Sequence, residues 1–307
     1  MQTKRKGEEC VSVSLSELLL LSKSARELSF PSQIRSVQSG QNSSRLLGRG
    51  MVYAESRRYQ YGDESRNIDW RVTARTGRAH TKLFEEEKER QVLICVDMRS
   101  SMFFATQGVF KSVQAALMSG ALAWNAVQGG NRLGGIIFDD YEQFDFRPAL
   151  GKRGVLPFLQ SLASKADHLA SLNKQPKSSS MDEAINNLKR VVAPGSLVFI
   201  ISDFRQFSSH AKDLLVQLST HSDLRLCFIY DGLEAALPKN GVYPITDGQS
   251  YMELNTHDTK KLENYHQKFI DRKDSVASLR VHPHIHFMEC KTEDDFLYKL
   301  KEKGSFK

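Results

Sequence analysis

From residue 91 onward, short apolar runs alternate with longer stretches whose apolar positions recur every three or four residues. QVLICVD (91–97) is a continuous apolar run closed by Asp97, the pattern of a strand buried on both faces. LGGIIFD (133–139), SLVFIISD (196–203), LRLCFIYD (224–231) and IHFMEC (285–290) repeat that pattern. Between them the spacing predicts helices over 110–127, 155–162, 181–191, 211–218 and 258–279, with a last one over 293–302. Strands alternating with helices in this way predict an α/β fold with a doubly wound, mostly parallel, Rossmann-like sheet covered on both faces.

The first 90 residues follow different rules. Ser14 and Glu17 have capping-box spacing, and Leu15, Leu18, Leu19 and Leu28 recur at helical intervals up to Phe30-Pro31. Residues 32–47 are polar and read as a connector. Residues 48–90 interleave charges and aromatics with little periodicity. The expected organisation is therefore an N-terminal helix and connector (1–47), a segment docking on the sheet (48–90) and the sheet domain (91–307).

Composition is that of a globular chain, with 40% hydrophobic and 26% charged residues. The net charge of +7 permits an acidic partner, but much of the excess sits at the chain ends, and basic tails are usually solvated. The balance therefore does not point to nucleic acid. The four cysteines form no C-x-x-C pair, and Cys95 and Cys227 fall inside apolar runs, as buried thiols of a reducing compartment would. No stretch approaches the length of a membrane span and MQTKRKGEEC is not a signal-peptide pattern, so a cytoplasmic protein is expected.

Three predicted strands end in Asp: Asp97, Asp139 and Asp203. In open α/β sheets, ligands gather at the carboxyl ends of strands near the switch in strand order. Asp97 is followed by Ser100 and Ser101, and such oxygens suit a hard cation. The run VLICVDMRSSM resembles the D-x-S-x-S motif of von Willebrand A domains, with Arg99 at the middle serine position. SSSMDEAI and FIISDF resemble the second and third elements of that family. The resemblance implies a degenerate MIDAS-like site of Asp97, Ser101, Ser179 and Asp203, with Mg²⁺ as its cation. Arg99 departs from that set. Two placements stay open for it: paired with a carboxylate in place of a cation, or turned to solvent.

RRYQYGDESRNIDWRVTAR (57–75) resembles the signature of the bacterial family called domain of unknown function 58. The match falls on Arg57, Tyr59, Gly62, Asp63, Arg66, Ile68, Asp69, Trp70, Ala74 and Arg75, and DGLEAALP (231–238) resembles a later family segment. Gly62-Asp63 suits a tight turn, and Asn67 or Asp69 can cap a short helix. The charges predict guanidinium–carboxylate bridges among Arg58, Arg66, Arg71, Arg75, Asp63, Glu64 and Asp69. The segment reads either as a structural strut or as a partner-docking surface. The resemblance implies a non-catalytic, protein-binding adaptor that partners a MoxR-type AAA+ ATPase in complex maturation or stress response. The alternatives are a metal-dependent phosphoesterase or nuclease, and a nucleic-acid-binding protein.

His282, His284 and His286 alternate along a predicted strand and could meet a zinc ion, but no Cys or carboxylate has matching spacing. EEEKER (85–90) reads as a solvated face. No G-x-S-x-G, H-E-x-x-H or Walker A pattern occurs.

Overall fold

The computed structural model describes residues 7–28, 51–86, 89–166, 181–237, 241–246, 251–255 and 259–302. The chain divides into two units: Met1–Ser36 with Arg90–Lys307, and Val37–Glu89. In chain order, α1 (Leu15–Leu20) belongs to the first unit. The second unit holds β1 (Met51–Arg58), α2 (Trp70–Thr76) and β2 (His80–Glu86). The first unit resumes with β3 (Gln91–Asp97), α3 (Lys111–Gln128), β4 (Arg132–Phe138), β5 (Gln143–Ala149) and α4 (Lys152–Lys165). Then come α5 (Met181–Val191), β6 (Leu197–Ser202), α6 (Ser209–Ser219), β7 (Asp223–Tyr230) and α7 (Gly232–Ala235). It closes with β8 (Val242–Thr246), β9 (Tyr251–Asn255), α8 (Thr259–Ala277), β10 (Ile285–Lys291) and α9 (Phe296–Lys301).

Six strands form one sheet in the order β10-β7-β6-β3-β4-β5, parallel except for β5. Counted along the chain, this is the 3-2-1-4-5-6 order of doubly wound folds with one reversed edge strand. The sheet is the doubly wound, mostly parallel one expected. The chain leaves β3 for β4 on one side and returns to β6 on the other, so the switch point lies between β3 and β6. β8 and β9 pair as a separate antiparallel hairpin.

Side-chain parity along β3 explains the two-sided cover. Val92, Ile94 and Val96 enter a core with Leu18, residues of α3 and α4, and Phe296 of α9. Leu93 and Cys95 point the other way, into a core with residues of α5 and α6 and Phe269 of α8. Both faces exclude water, which is why β3 is an uninterrupted apolar run.

Three departures from the expected elements have local causes. β5 (QFDFRPA) was not anticipated, because an edge strand with one half-solvated face carries no apolar run. The 48–90 region, with little periodicity and only a short helix expected, also holds the β1/β2 pair; the helix forms as α2, capped by Asp69. The helix expected up to Leu28 ends at Leu20, and a 3₁₀ turn follows at Ser24–Glu27. The capping box at Ser14 and Glu17 forms as expected. Side chains of α3 take the carbonyls beyond it: Trp124 Nε1 donates to Leu18 O at 2.9 Å. Asn125 Nδ2 donates to Ala25 O at 3.0 Å and Leu28 O at 2.8 Å. Gln128 Nε2 donates to Ser22 O at 2.6 Å. Gly120 lies against Leu18, where an added Cβ would sit 3.0 Å from Leu18 Cδ2.

Candidate functional site at the carboxyl ends of the central strands

β3 ends in Asp97 and β6 runs out through Ser202 to Asp203, so the switch point brings two fully buried carboxylates to one edge of the sheet. Burying them unpaired would cost several kcal/mol each, so each must find a counter-charge. The two find different ones.

Asp97 is held by its near neighbour. Arg99 Nε donates to Oδ1 at 2.9 Å and Nη2 to Oδ2 at 2.7 Å, a two-pronged bridge. The Arg99 amide adds a bond to Oδ1 at 3.0 Å and Ser202 Oγ one to Oδ2 at 2.6 Å. Arg99 is itself buried, donates to Arg205 O at 3.1 Å, and lies over the Phe138 ring. Burial works against its charge, but the Asp97 carboxylate outweighs that and holds its pKa above the ordinary value. Of the two placements open from sequence, Arg99 takes the paired one.

Asp203 is held by Lys111, the first residue of α3 and fully buried. Lys111 Nζ donates to Asp203 Oδ2 and to Glu234 Oε1, both at 2.8 Å. Glu234 comes from α7, where Asp231 and Glu234 form a capping box. Arg205 adds an Nη2 bond to Glu234 at 2.6 Å and an amide bond to Asp203 Oδ1 at 3.1 Å. Arg272 of α8 approaches Glu234 at 3.7 Å. Burial pushes the Asp203 carboxyl up, yet Lys111 and the Arg205 amide outweigh it and leave the pKa below the ordinary carboxylate value.

The backbone at this edge is strained. Phe204 and Gln206 have φ of 51° and 57°, in the left-handed region that bulky residues avoid. The strained turn is held by Ser202 Oγ accepting from the Phe204 amide at 2.8 Å and by stacking of Phe204 on Phe228. It aims the Arg205 carbonyl at Arg99 and the Arg205 side chain at Glu234.

Ser101 follows Asp97 as the motif requires, and its Oγ is buried without a hydrogen-bond partner. Ser179 lies outside the described residues. The Mg²⁺ ion that the resemblance implies does not fit this donor set, because the Asp97 and Asp203 oxygens that would ligate it are already bonded to Arg99, Ser202, Lys111 and Arg205. Asp139, the third strand-end Asp, accepts from Lys165 at 2.8 Å and from the amides of Tyr141 and Glu142. The candidate site is thus a charge-paired edge whose outward group is Arg205, with its side chain 47% exposed.

Lys111, Ser202, Arg205, Glu234 and Arg272 were not singled out from sequence. Lys111 had a readable signal: it is the only charged residue in the 18 residues of α3.

The signature residues form two knots within the second unit. Around the turn at Gly62, whose φ is 105°, Arg57 Nη2 donates to Asp63 Oδ1 at 2.7 Å, the Gln60 amide to Asp63 Oδ2 at 2.9 Å, and Tyr59 Oη to Asp63 O at 3.1 Å. Asp69 caps α2 through the Val72 amide at 3.1 Å and accepts from Ser56 Oγ of β1 at 2.7 Å, which fastens α2 to β1. The expected network of bridges does not form as drawn: Asp63 pairs with Arg57, Asp69 takes a hydroxyl, and Arg58, Arg66, Arg71 and Arg75 have no carboxylate partner among the described residues. All four are exposed. Trp70 is 70% exposed and Tyr61 is fully exposed. Arg71, Val72, Arg75 and Lys82 line an open recess of about 620 Å³ beside Asp69.

One other reading is corrected at residue level. Arg90, expected on a solvated face, is mostly buried: its Nη2 bonds Asp223 at 2.5 Å and its Nε donates to Gly195 O at 2.8 Å, at the amino end of the sheet. His284 Nδ1 lies 3.3 Å from the same Asp223, and among the described residues no three His, Cys, Asp or Glu side chains are grouped to hold a metal. Cys95 and Cys227 are fully buried free thiols, with pKa values pushed up by burial. Among the described residues no helix is long and apolar enough to cross a membrane.

Residues 55–275 match the family described as protein of unknown function DUF58. The uncharacterized protein Rv1480 of Mycobacterium tuberculosis (strain ATCC 25618 / H37Rv) is 27% identical over 224 residues, which cover 73% of this chain and 69% of that one. Among solved structures, the conserved hypothetical protein BatB from Bacteroides thetaiotaomicron is 14% identical with a TM-score of 0.39, over 66% of this chain and 90% of its own. A von Willebrand factor type A protein from Catenulispora acidiphila is 9% identical with a TM-score of 0.35, over 72% of this chain and 44% of its own. With both the 57–75 signature and the paired strand-end carboxylates inside the matched span, the chain belongs to the DUF58 family of proteins of unknown function.

Proposed function

We propose that this protein is a non-catalytic adaptor that binds a protein partner through its second unit, and that the partner is a MoxR-type AAA+ ATPase. The observation that carries the reading is the outward face of the signature segment. Trp70 and Tyr61 are exposed, and Arg71, Arg75 and Lys82 border a recess beside Asp69, Arg71 and Arg75 having no carboxylate partner among the described residues. Arginine and large aromatics are the residue types that dominate protein–protein hot spots. The basic recess suits an acidic segment of the partner. Glu55, Asp63, Glu64 and Asp69 interleave with the arginines, which disfavours a polyanionic backbone and favours a protein ligand with mixed charge. The family resemblance supplies the identity of the ATPase.

The test is calorimetric titration of the full chain into a purified MoxR-type ATPase from the same cell. The wild type should bind with a Kd in the micromolar range or tighter, and Trp70→Ala with Arg71→Ala should weaken it by about tenfold or more. Circular dichroism of the variant checks that the fold is kept. No heat at roughly 100 µM, or undiminished binding by the folded variant, would overturn the reading.

A further inference from the structure

We infer that the carboxyl-edge site of the first unit works without a metal ion, because Arg99 and Lys111 are its built-in cations. Asp97 offers two oxygens with about four lone-pair positions. Four donors meet them: Nε, Nη2 and the amide of Arg99, and the hydroxyl of Ser202. The Asp203 oxygens receive Lys111 and the Arg205 amide, with Arg205 Nε at 3.3 Å. Mg²⁺ demands near-octahedral oxygen ligands at about 2.0–2.1 Å. To enter, it would have to strip a buried bidentate bridge and then sit beside the displaced guanidinium, with two like charges in a low-dielectric edge. The site also supplies a positive control. Ser101 Oγ, four residues after Asp97 in the D-x-S-x-S pattern, is buried and has no hydrogen-bond partner, so one oxygen of that pattern is not yet committed. The strained turn at Phe204 and Gln206 is held partly by Arg99 on the Arg205 carbonyl, so the same cation that replaces a metal also fixes the exposed Arg205. This inference rests on the buried bridges alone and not on the adaptor reading.

The experiment compares thermal unfolding and calorimetric Mn²⁺ titration of the full wild-type chain with those of Arg99→Ser and Arg99→Lys. The wild type should give no saturable heat and no change in Tm with either millimolar Mn²⁺ or EDTA. Arg99→Ser frees Asp97 and restores the D-x-S-x-S oxygens, and should gain a Mn²⁺-dependent rise in Tm of roughly 4 °C. Arg99→Lys keeps the charge and should stay inert. Stoichiometric Mn²⁺ binding by the wild type overturns the inference whatever the variants do. So does a folded Arg99→Ser chain that ignores Mn²⁺, or a Mn²⁺ response in Arg99→Lys. Should Arg99→Ser fail to fold, an inert wild type together with an inert Arg99→Lys upholds the inference.

Discussion

Arg99 grips Asp97 from two residues away, Nε on Oδ1 at 2.9 Å and Nη2 on Oδ2 at 2.7 Å, with both side chains buried. The pairing is possible because Asp97 ends a strand and the chain turns at once into a 3₁₀ turn over Ser100–Met102, which folds position 99 back over the strand end. A serine there would leave a carboxylate that needs an external cation. The arginine makes the site self-sufficient.

Lys111 should be the most sensitive single position of the first unit. Lys111→Met leaves Asp203 and Glu234 buried without their shared ammonium, and should cost about 3–5 kcal/mol in urea unfolding. Adding Asp203→Asn and Glu234→Gln should recover a large part of the loss, because the uncompensated charge, rather than the lost bridge, is the main penalty. A loss under about 1 kcal/mol for Lys111→Met would show that the ammonium is not the counter-charge.

Stability should fall on the acid side. The folded-state pKa values of Asp203 and Asp231 lie below the ordinary 3.8: burial pushes both up, but Lys111 outweighs it at Asp203, and Thr106 with Thr292 and the Leu233 amide outweighs it at Asp231. A depressed folded pKa gives stability that is complete above the unfolded value and is lost as pH falls through the folded one. Tm should therefore be level from neutrality to about pH 5 and drop below roughly pH 4. Asp203→Asn should shallow that drop, which differential scanning calorimetry across the range reads directly.

The N-terminal helix should be part of the first unit's cooperative core. Leu18 is fully buried, and Trp124 donates to its carbonyl. Leu18→Ala should cost about 2–5 kcal/mol. It should also shift the Trp124 emission to the red, measured with Trp70→Phe because the chain has 2 tryptophans and Trp70 is exposed.

Gly108 should not tolerate a side chain. Its φ is +78°, and a Cβ there would sit 2.1 Å from Thr292 O. Gly108→Ala must displace the loop that carries Thr106, whose Oγ donates to Asp231 at 2.6 Å, and should cost roughly 1–3 kcal/mol by urea unfolding.

The sheet was legible because parallel strands buried on both faces are mostly apolar, and β3, β6 and β7 obey that rule apart from their end residues and Arg225 of β7. β5 was not, because an edge strand's alternation is short and is interrupted by Pro148. Asp97 and Asp203 were legible as strand ends, the capping role of Ser14 followed from spacing, and Asp69 was one of two candidate caps of α2. Lys111 and Glu234 were not placed, because Lys111 reaches Asp203 across 92 residues and Glu234 across 123, and only tertiary packing sets those distances. Arg99 was recognised as a departure, but its partner depended on a backbone turn that no periodicity encodes.

The central claim is that Arg99 is the counter-ion of Asp97, and a double-mutant cycle measures it most directly. Urea unfolding of the wild type, Arg99→Met, Asp97→Asn and the double variant yields their coupling energy. The bidentate, buried bridge predicts coupling of about 2 kcal/mol or more, with the double variant more stable than the sum of the single losses allows. Losses that add to within about 0.5 kcal/mol would contradict it and return the site to an unpaired carboxylate awaiting a cation.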